Sequence, residues 1–303
     1  MILAPTPTIE DAEQYLLSVQ NEDGGWPYSQ GLPSQPEPTA FSLLALARTG
    51  VHAKPIQDGL NYLSQLQDST GAIRVPGAFA KSYWPTALVV IVFQQLRSES
   101  PLIQKALAWL FAQRTKTTEM NEELARDFEI DTSLVGWSWT ENTFSWVDPT
   151  AWVVLALRHC GHLEHPRTQE ALKLLLDRAY EEGGANCGNR RIYGSMTEPV
   201  PGNTCTLLLA HSALEDHPKL KAARCYLRES ILRHTDLEHL CWIRLALDAW
   251  KEEPETAEVL AHLEELLLQY YQEQTDKNRV FRRSVMRQAL TILALSADAY
   301  RPL

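Results

Sequence analysis

Two kinds of helical stretch alternate along this chain, and that alternation limits the folds open to it. The first kind is amphipathic. Asp11 to Gln20, Ile56 to Gln67, Ile103 to Arg114 and Thr168 to Tyr180 each place apolar residues three and four apart, with a polar opposite face. After each comes a loop, and then a second kind that is apolar nearly all round. These begin T-A-F-S-L-L at Thr39, T-A-L-V-V-I at Thr86 and T-A-W-V-V-L at Thr150, with a fourth from Thr204 to Leu214. A helix without a polar face has to be buried on most sides.

Two fainter pairs complete the series: Leu220 to His234 with Glu238 to Trp250, and Thr256 to Tyr271 with Ser284 to Leu295. The spacing is that of a two-helix repeat of roughly 40 to 50 residues, about six hairpins in all, with no strand expected. An open array ends in repeats with polar outer faces. Here the first inner helix, from Thr39, is as apolar as the middle ones, and the last, T-I-L-A-L-S-A from Thr291, is apolar too. Closing the series on itself buries both. The expected fold is therefore all-α, a closed (α/α)6 toroid, with residues 1–303 as one domain.

The loops repeat as well. Gln20 to Trp26 reads Q-x3-G-x-W; Gln67 to Ile73 keeps the pattern with Ile73 in place of Trp; Gly136 to Trp139 and Glu182 to Asn189 carry its glycines onward. Glycine lets the chain turn through positive φ after a helix, and Gln can bond backbone groups at a neighbouring helix end. This Q-x3-G-x-W followed by P-T-A-x-x-x-L-A-L resembles the QW repeats of squalene-hopene cyclases and related terpene cyclases. Protein prenyltransferase β subunits share the same ring. The resemblance covers the chain, strongest in the first four repeats. It implies the ring and an apolar isoprenoid or other lipid-like ligand in a central cavity. As an enzyme it implies a terpene cyclase or mutase, an isomerase or lyase.

Those cyclases carry D-x-D-D-T-A, whose middle Asp protonates an alkene. On this chain the motif falls on Trp146-Val147-Asp148-Pro149-Thr150-Ala151. Asp148 takes the acid position, while Trp146 and Pro149 stand where the other two aspartates would be. Asp148 therefore has two readings. One is the proton donor of the family. The other, favoured on ordinary preference, is a helix N-cap, since Asp is a good cap and Pro suits the first turn. Around it the resemblance implies a lining of Trp137, Trp139, Phe144, Trp146 and Trp152, with Trp84 and Phe41 in equivalent places, their faces turned to a cation.

Arg190 and Arg191, and Lys277, Arg279, Arg282 and Arg283, sit in two loops leading into inner helices. They could hold a diphosphate or carboxylate, or be solvated loops with local ion pairs. No metal or other cofactor is expected: the prenyltransferase zinc ligands are not in register, and His159-Cys160-Gly161-His162-Leu163-Glu164-His165 fits no standard zinc spacing. A formal charge of −10 argues against nucleic acid. No apolar run reaches the roughly 20 residues of a membrane span. Five scattered cysteines and an N-terminus lacking a basic start and an apolar core fit the cytoplasm. The alternative function is a non-catalytic toroid that binds a lipid-like ligand, or a protein partner on its loop face.

Overall fold

In the computed structural model, residues 7–50, 52–77, 83–117, 129–192, 194–212, 214, 216–233, 236–277, 284–296 and 299 are described. Among them the chain forms twelve helices: α1 (Pro7–Ser18), α2 (Pro36–Thr49), α3 (Ala53–Gln65), α4 (Pro85–Leu96), α5 (Pro101–Ala112), α6 (Val147–His159), α7 (Pro166–Arg178), α8 (Pro201–His211), α9 (Pro218–Ser230), α10 (Leu237–Asp248), α11 (Pro254–Lys277) and α12 (Val285–Leu295). One strand pair, β1 (Arg191–Ile192) and β2 (Ser195–Met196), was not expected from the sequence. It is an antiparallel hairpin of two residues a side in the loop before α8.

The even-numbered helices form the inner ring. Each packs on the next, α2 on α4 and so on to α12, and α12 packs back on α2. The closed ring expected from the apolar first and last inner helices is what forms. Their burial follows from their composition: Leu88 to Phe93 of α4 and Val154 to Leu157 of α6 are shut off from water. Odd-numbered helices lie outside, with only their apolar stripe turned inward. In α1 that stripe is Ile9, Ala12 and Leu16.

Closure is also polar. Tyr271 of α11 donates to Asp11 Oδ2 at 2.8 Å, joining the last outer helix to the first. Ser284 bridges Ser29 of the first loop, and Val285 N donates to Tyr28 O at 3.1 Å.

The Q-x3-G-x-W loops are built alike. Gln20 Nε2 donates to Gly24 O at 2.8 Å and to Pro55 O at 2.9 Å, tying the loop to the start of the next outer helix. Gln67 Nε2 does the same to Gly71 O at 3.0 Å and Leu102 O at 2.9 Å. Gly71 turns at φ +100°, where a Cβ would lie 2.2 Å from Lys105 O, so neither the conformation nor the space admits a side chain. The Trp26 indole donates to Leu16 O and the Trp137 indole to Leu110 O. The threonine that opens each of the first four inner helices then takes the loop's amide: Thr39 from Trp26, Thr86 from Ile73, Thr150 from Trp137 and Thr204 from Ala185, at 2.8 to 2.9 Å. Each of these four loops is thereby clamped to the N-terminal end of an inner helix, and these ends gather on one face of the ring.

Candidate active site

Asp148 stands on that face, in the first turn of α6. The cap position lies two residues earlier: Trp146 is extended, at φ −126° and ψ 157°, and its carbonyl already accepts from Thr150 N. Val147 N goes to Cys187 O at 2.9 Å, and Pro149 has no amide to offer. A capping carboxylate would need amides that are already engaged. Asp148 makes no cap bond, and the N-cap reading fails.

Its carboxyl turns sideways to α8. Asn203 Nδ2 donates to Oδ2 at 2.6 Å and Thr206 Oγ1 to Oδ1 at 2.7 Å. Burial raises the Asp148 pKa above the usual carboxylate value, and these two donors only partly offset it. A carboxyl in this setting holds its proton at higher pH than a surface aspartate. It also has a donor waiting on each oxygen once the proton leaves.

One helical turn below, on the same side of α6, Trp152 points across the ring axis. It meets Phe41 of α2 and Trp242 of α10, neither of them on a neighbouring inner helix, with ring centroids 5.9 Å away in both cases. Phe41 and Trp242 are 5.7 Å apart, and all three contacts are edge to face. The trio closes the axis, and Phe41 is 1% exposed. Each member has an acid four residues before it: Glu37, Asp148 and Glu238. On a helix that spacing stacks the two side chains on one face, so a layer of carboxyls overlies a layer of aromatics. The carboxyls of the upper layer are coupled electrostatically. Glu37 is raised by burial, then by the like charges of Glu238 and Asp148, although the Tyr28 hydroxyl donating to it works the other way. Glu238 faces Arg287, Nε to Oε2 at 3.6 Å, and Arg287 also pairs with Asp236 at 2.6 Å.

The remaining aromatics disperse. Trp84, Trp137 and Trp139 wall a shallow open hollow beside α6, together with Tyr83, Trp109 and Val153. Trp84 and Trp139 meet at 5.2 Å. Pro149 lines this hollow and Asp148 does not. Trp146 lies against Gly188, and Phe144 is 51% exposed on the loop. The structure thus separates an axial group, Phe41 and Trp152, from a flanking group, where a single wall around Asp148 was expected.

Arg191 pairs with Glu129 at 3.0 Å, and Arg190 donates to the Glu129 carbonyl, which is the local ion-pair arrangement. Arg282 lies outside the described residues, as do Arg279 and Arg283 and the side chain of Lys277. Among the described residues no group of three or more His, Cys, Asp or Glu could hold a metal. His165 accepts from Arg167 N at the start of α7, and His162 packs on Phe111. His211 is buried between two carbonyls, Leu207 O and Leu172 O, and burial brings its pKa down to about 4.

Reading the residues singly missed Asn203, Thr206 and Trp242. Trp242 had a signal: E-P-T-A-F, D-P-T-A-W and E-H-L-C-W, from Glu37, Asp148 and Glu238, share an acid-x3-aromatic spacing. Asn203 and Thr206 had none, because only the ring brings α8 to Asp148.

Fold and site together define a closed (α/α)6 toroid with a partly buried carboxyl over an aromatic floor. No family model matches the chain. It is 27% identical over 199 residues to the squalene–hopene cyclase of Bradyrhizobium diazoefficiens, an alignment covering 58% of this chain and 29% of that protein. It is 40% identical over 67 residues to the drimenyl diphosphate synthase of Streptantibioticus cattleyicolor, covering 22% and 13%. The chain spans under a third of the length of these relatives. Among solved structures, the type II terpene cyclase MstE from Scytonema superposes with a TM-score of 0.65 at 14% identity, covering 98% of each chain. In sequence the chain is thus similar to squalene–hopene and other terpene cyclases over part of their length, and in fold to a type II terpene cyclase over the whole ring.

Proposed function

We propose that the chain is a terpene-cyclase-like enzyme, folded as one domain over residues 1–303, that takes an apolar isoprenoid at its loop face and starts cyclisation by protonation. Asp148 is the acid. Its O–H proton passes to an alkene carbon, forming a C–H bond and leaving a carbocation on the adjacent carbon. A second alkene of the same chain closes onto that cation, and loss of a proton ends the sequence, so substrate and product are isomers. Phe41, Trp152 and Trp242 lie one turn below, where their π systems lower the energy of a cation. The observation that carries this reading is the Asp148 carboxyl, which caps nothing and is partly buried against Asn203 and Thr206, with its pKa raised. Solved MstE structures hold a geranylgeranyl dihydroxybenzoate substrate and a merosterolic acid product on a ring of nearly the same extent, which supports an isoprenoid ligand. Five free cysteines fit a reducing, cytoplasmic setting, and no described helix is long and apolar enough to cross a membrane.

The test is incubation with farnesyl and geranylgeranyl substrates, with and without a diphosphate head, followed by product analysis. Cyclised product is expected, with Asp148→Asn slower by about 10²–10⁴-fold, the range for a general acid. No product from any chain length, or an unchanged rate in Asp148→Asn, overturns the proposal.

One observation favours a second reading. Trp146 and Pro149 replace the acids that flank the donor in the family motif, so the ring would bind a lipid-like ligand or a protein partner without turning anything over. Saturable quenching of tryptophan fluorescence by an isoprenoid, with no product, would identify that case.

A further inference from the structure

We infer that Asn203 and Thr206 are positioning residues for Asp148: Asn203 assigns the acid's proton to Oδ1, and Thr206 receives the charge left when that proton departs. The inference rests on the proton-donor role proposed above, but its test reads the carboxyl itself.

The Asn203 amide nitrogen can only donate. At 2.6 Å from Oδ2, it requires that oxygen to accept in both protonation states. The hydroxyl oxygen of a carboxylic acid is a poor acceptor, so in the loaded acid Oδ2 is the carbonyl oxygen and the proton sits on Oδ1. The amide presents its nitrogen to Asp148, and at its other end the Cys187 thiol lies 3.9 Å from Asn203 Oδ1, in place to donate to it.

Thr206 Oγ1 has two acceptors within reach, Asp148 Oδ1 at 2.7 Å and the Asn203 carbonyl at 3.1 Å. While Oδ1 carries the proton, the Thr206 hydroxyl donates to Asn203 O and turns a lone pair to Oδ1. When Oδ1 is bare, one rotation of the hydroxyl delivers its hydrogen there. No heavy atom moves, so stabilisation of the conjugate base needs no reorganisation. Asn203 is 6% exposed and Thr206 5%, so water does not substitute for either. The family motif keeps its flanking acids on the same segment as the donor. Here both partners come from the next inner helix instead.

The other groups that bear on this carboxyl are Glu37 of α2, whose charge couples to it, and the thiols of Cys187 and Cys205, both raised chiefly by burial and then by its charge. None of them donates to either oxygen of Asp148 in the structure.

The experiment is a pH titration of the ¹³C carboxyl resonance of Asp148 in the full chain, assigned by its loss in Asp148→Asn. Thr206→Val removes one donor to the carboxylate, and the midpoint is expected to rise by about one to two units, the worth of a hydrogen bond to a charged group. Thr206→Ser restores the original midpoint. Asn203→Leu raises it as well, and Asn203→Ser, a milder change, raises it less. An unmoved midpoint in Thr206→Val overturns the assignment of Thr206. A lowered midpoint in Asn203→Leu overturns that of Asn203, because it means the amide presents its carbonyl to the acid's proton. If the midpoints shift as stated but no isoprenoid is cyclised, the positioning role stands and the cyclase reading fails. If product forms through Asp148 while Thr206→Val keeps both its midpoint and its kcat, the positioning role fails alone.

Discussion

Trp152 and Trp242, far apart in sequence and on inner helices that are not neighbours, meet edge to face at 5.9 Å across the axis of the ring. With Phe41 they complete a trio in which each ring touches the other two. Three inner helices thus share one packing unit at the centre, where the fold would otherwise be hollow. Phe41 is the most deeply buried member, and removing its ring leaves a void that neither indole can fill. Phe41→Ala is expected to lower stability by about 3–5 kcal/mol, the usual range for a buried aromatic. Trp242→Leu, which keeps apolar volume at a less buried position, is expected to cost less. Urea unfolding of the two variants gives the comparison; equal costs would mean that the trio is not the central packing unit.

The carboxyl layer above the trio sets a pH dependence of definite sign. Burial raises the pKa of both Asp148 and Glu37 in the folded state. In the window between each group's unfolded and folded values, the folded state binds more protons than the unfolded chain. Stability is then full below the unfolded values and falls as pH rises through the folded ones. Asp148→Asn keeps the shape and removes the charge. Its amide can accept from Asn203 and donate to Thr206, which is the hydrogen-bond pattern of the loaded acid. The variant is expected to melt higher than the parent at pH 8, by a margin that shrinks towards pH 4. A margin independent of pH would show that Asp148 is not held protonated by the fold.

His211 acts in the opposite direction. Its pKa falls to about 4 from a usual 6.5, because it is buried between backbone carbonyls where the charged form is poorly solvated. Below pH 6.5 the unfolded chain takes up a proton that the folded chain refuses. The stability this provides is therefore complete above 6.5 and is lost as pH falls towards 4. Replacing His211 with Gln is expected to flatten the acid limb of the stability curve between those values, measured by urea midpoints at half-unit steps. An acid limb of unchanged slope would assign the sensitivity to other groups.

What the sequence disclosed, and what it withheld, follows from the range of the forces involved. Helix alternation is written locally, in which positions are apolar, so the inner and outer helices were legible from Thr39, Thr86 and Thr150 onward. Closure was legible because Thr291 begins a stretch as apolar as the first inner helix. Asp148 was read first as a cap because its own neighbours, Pro149 and Thr150, are what a cap would have. Nothing adjacent to it says that Asn203 and Thr206 will lie beside it, since that proximity is made by the packing of α6 on α8. The aromatics were read as one wall around Asp148; Phe41 and Trp152 lie on the axis, while the helix start turns Trp137 and Trp139 into a flanking hollow. The two-residue β hairpin had no periodicity to reveal it.

The repeated glutamine clamp gives the last prediction. Gln20 and Gln67 each bond two carbonyls with one amide, one in the loop and one at the start of the next outer helix. Truncating either leaves two part-buried carbonyls short of a donor, and such loss costs about 1–3 kcal/mol. Gln20→Ala and Gln67→Ala are therefore expected to be destabilised by similar amounts. Because the two clamps share no partner, the double variant should show the sum of the single effects to within about 0.5 kcal/mol. The side chain of Gln113, which follows the third outer helix, donates to Trp109 O on its own helix at 3.5 Å. It stands in the sequence where Gln20 and Gln67 stand, but its side chain makes no such bridge; the tie to the next outer helix runs through its backbone carbonyl, which accepts from Arg167 and survives truncation. Gln113→Ala is accordingly expected to cost well under half of what Gln20→Ala does. Urea unfolding of the three single variants and the double decides the matter: a Gln113 cost equal to the others would mean that glutamine helps at these positions through helix-end solvation rather than through the bridge between repeats.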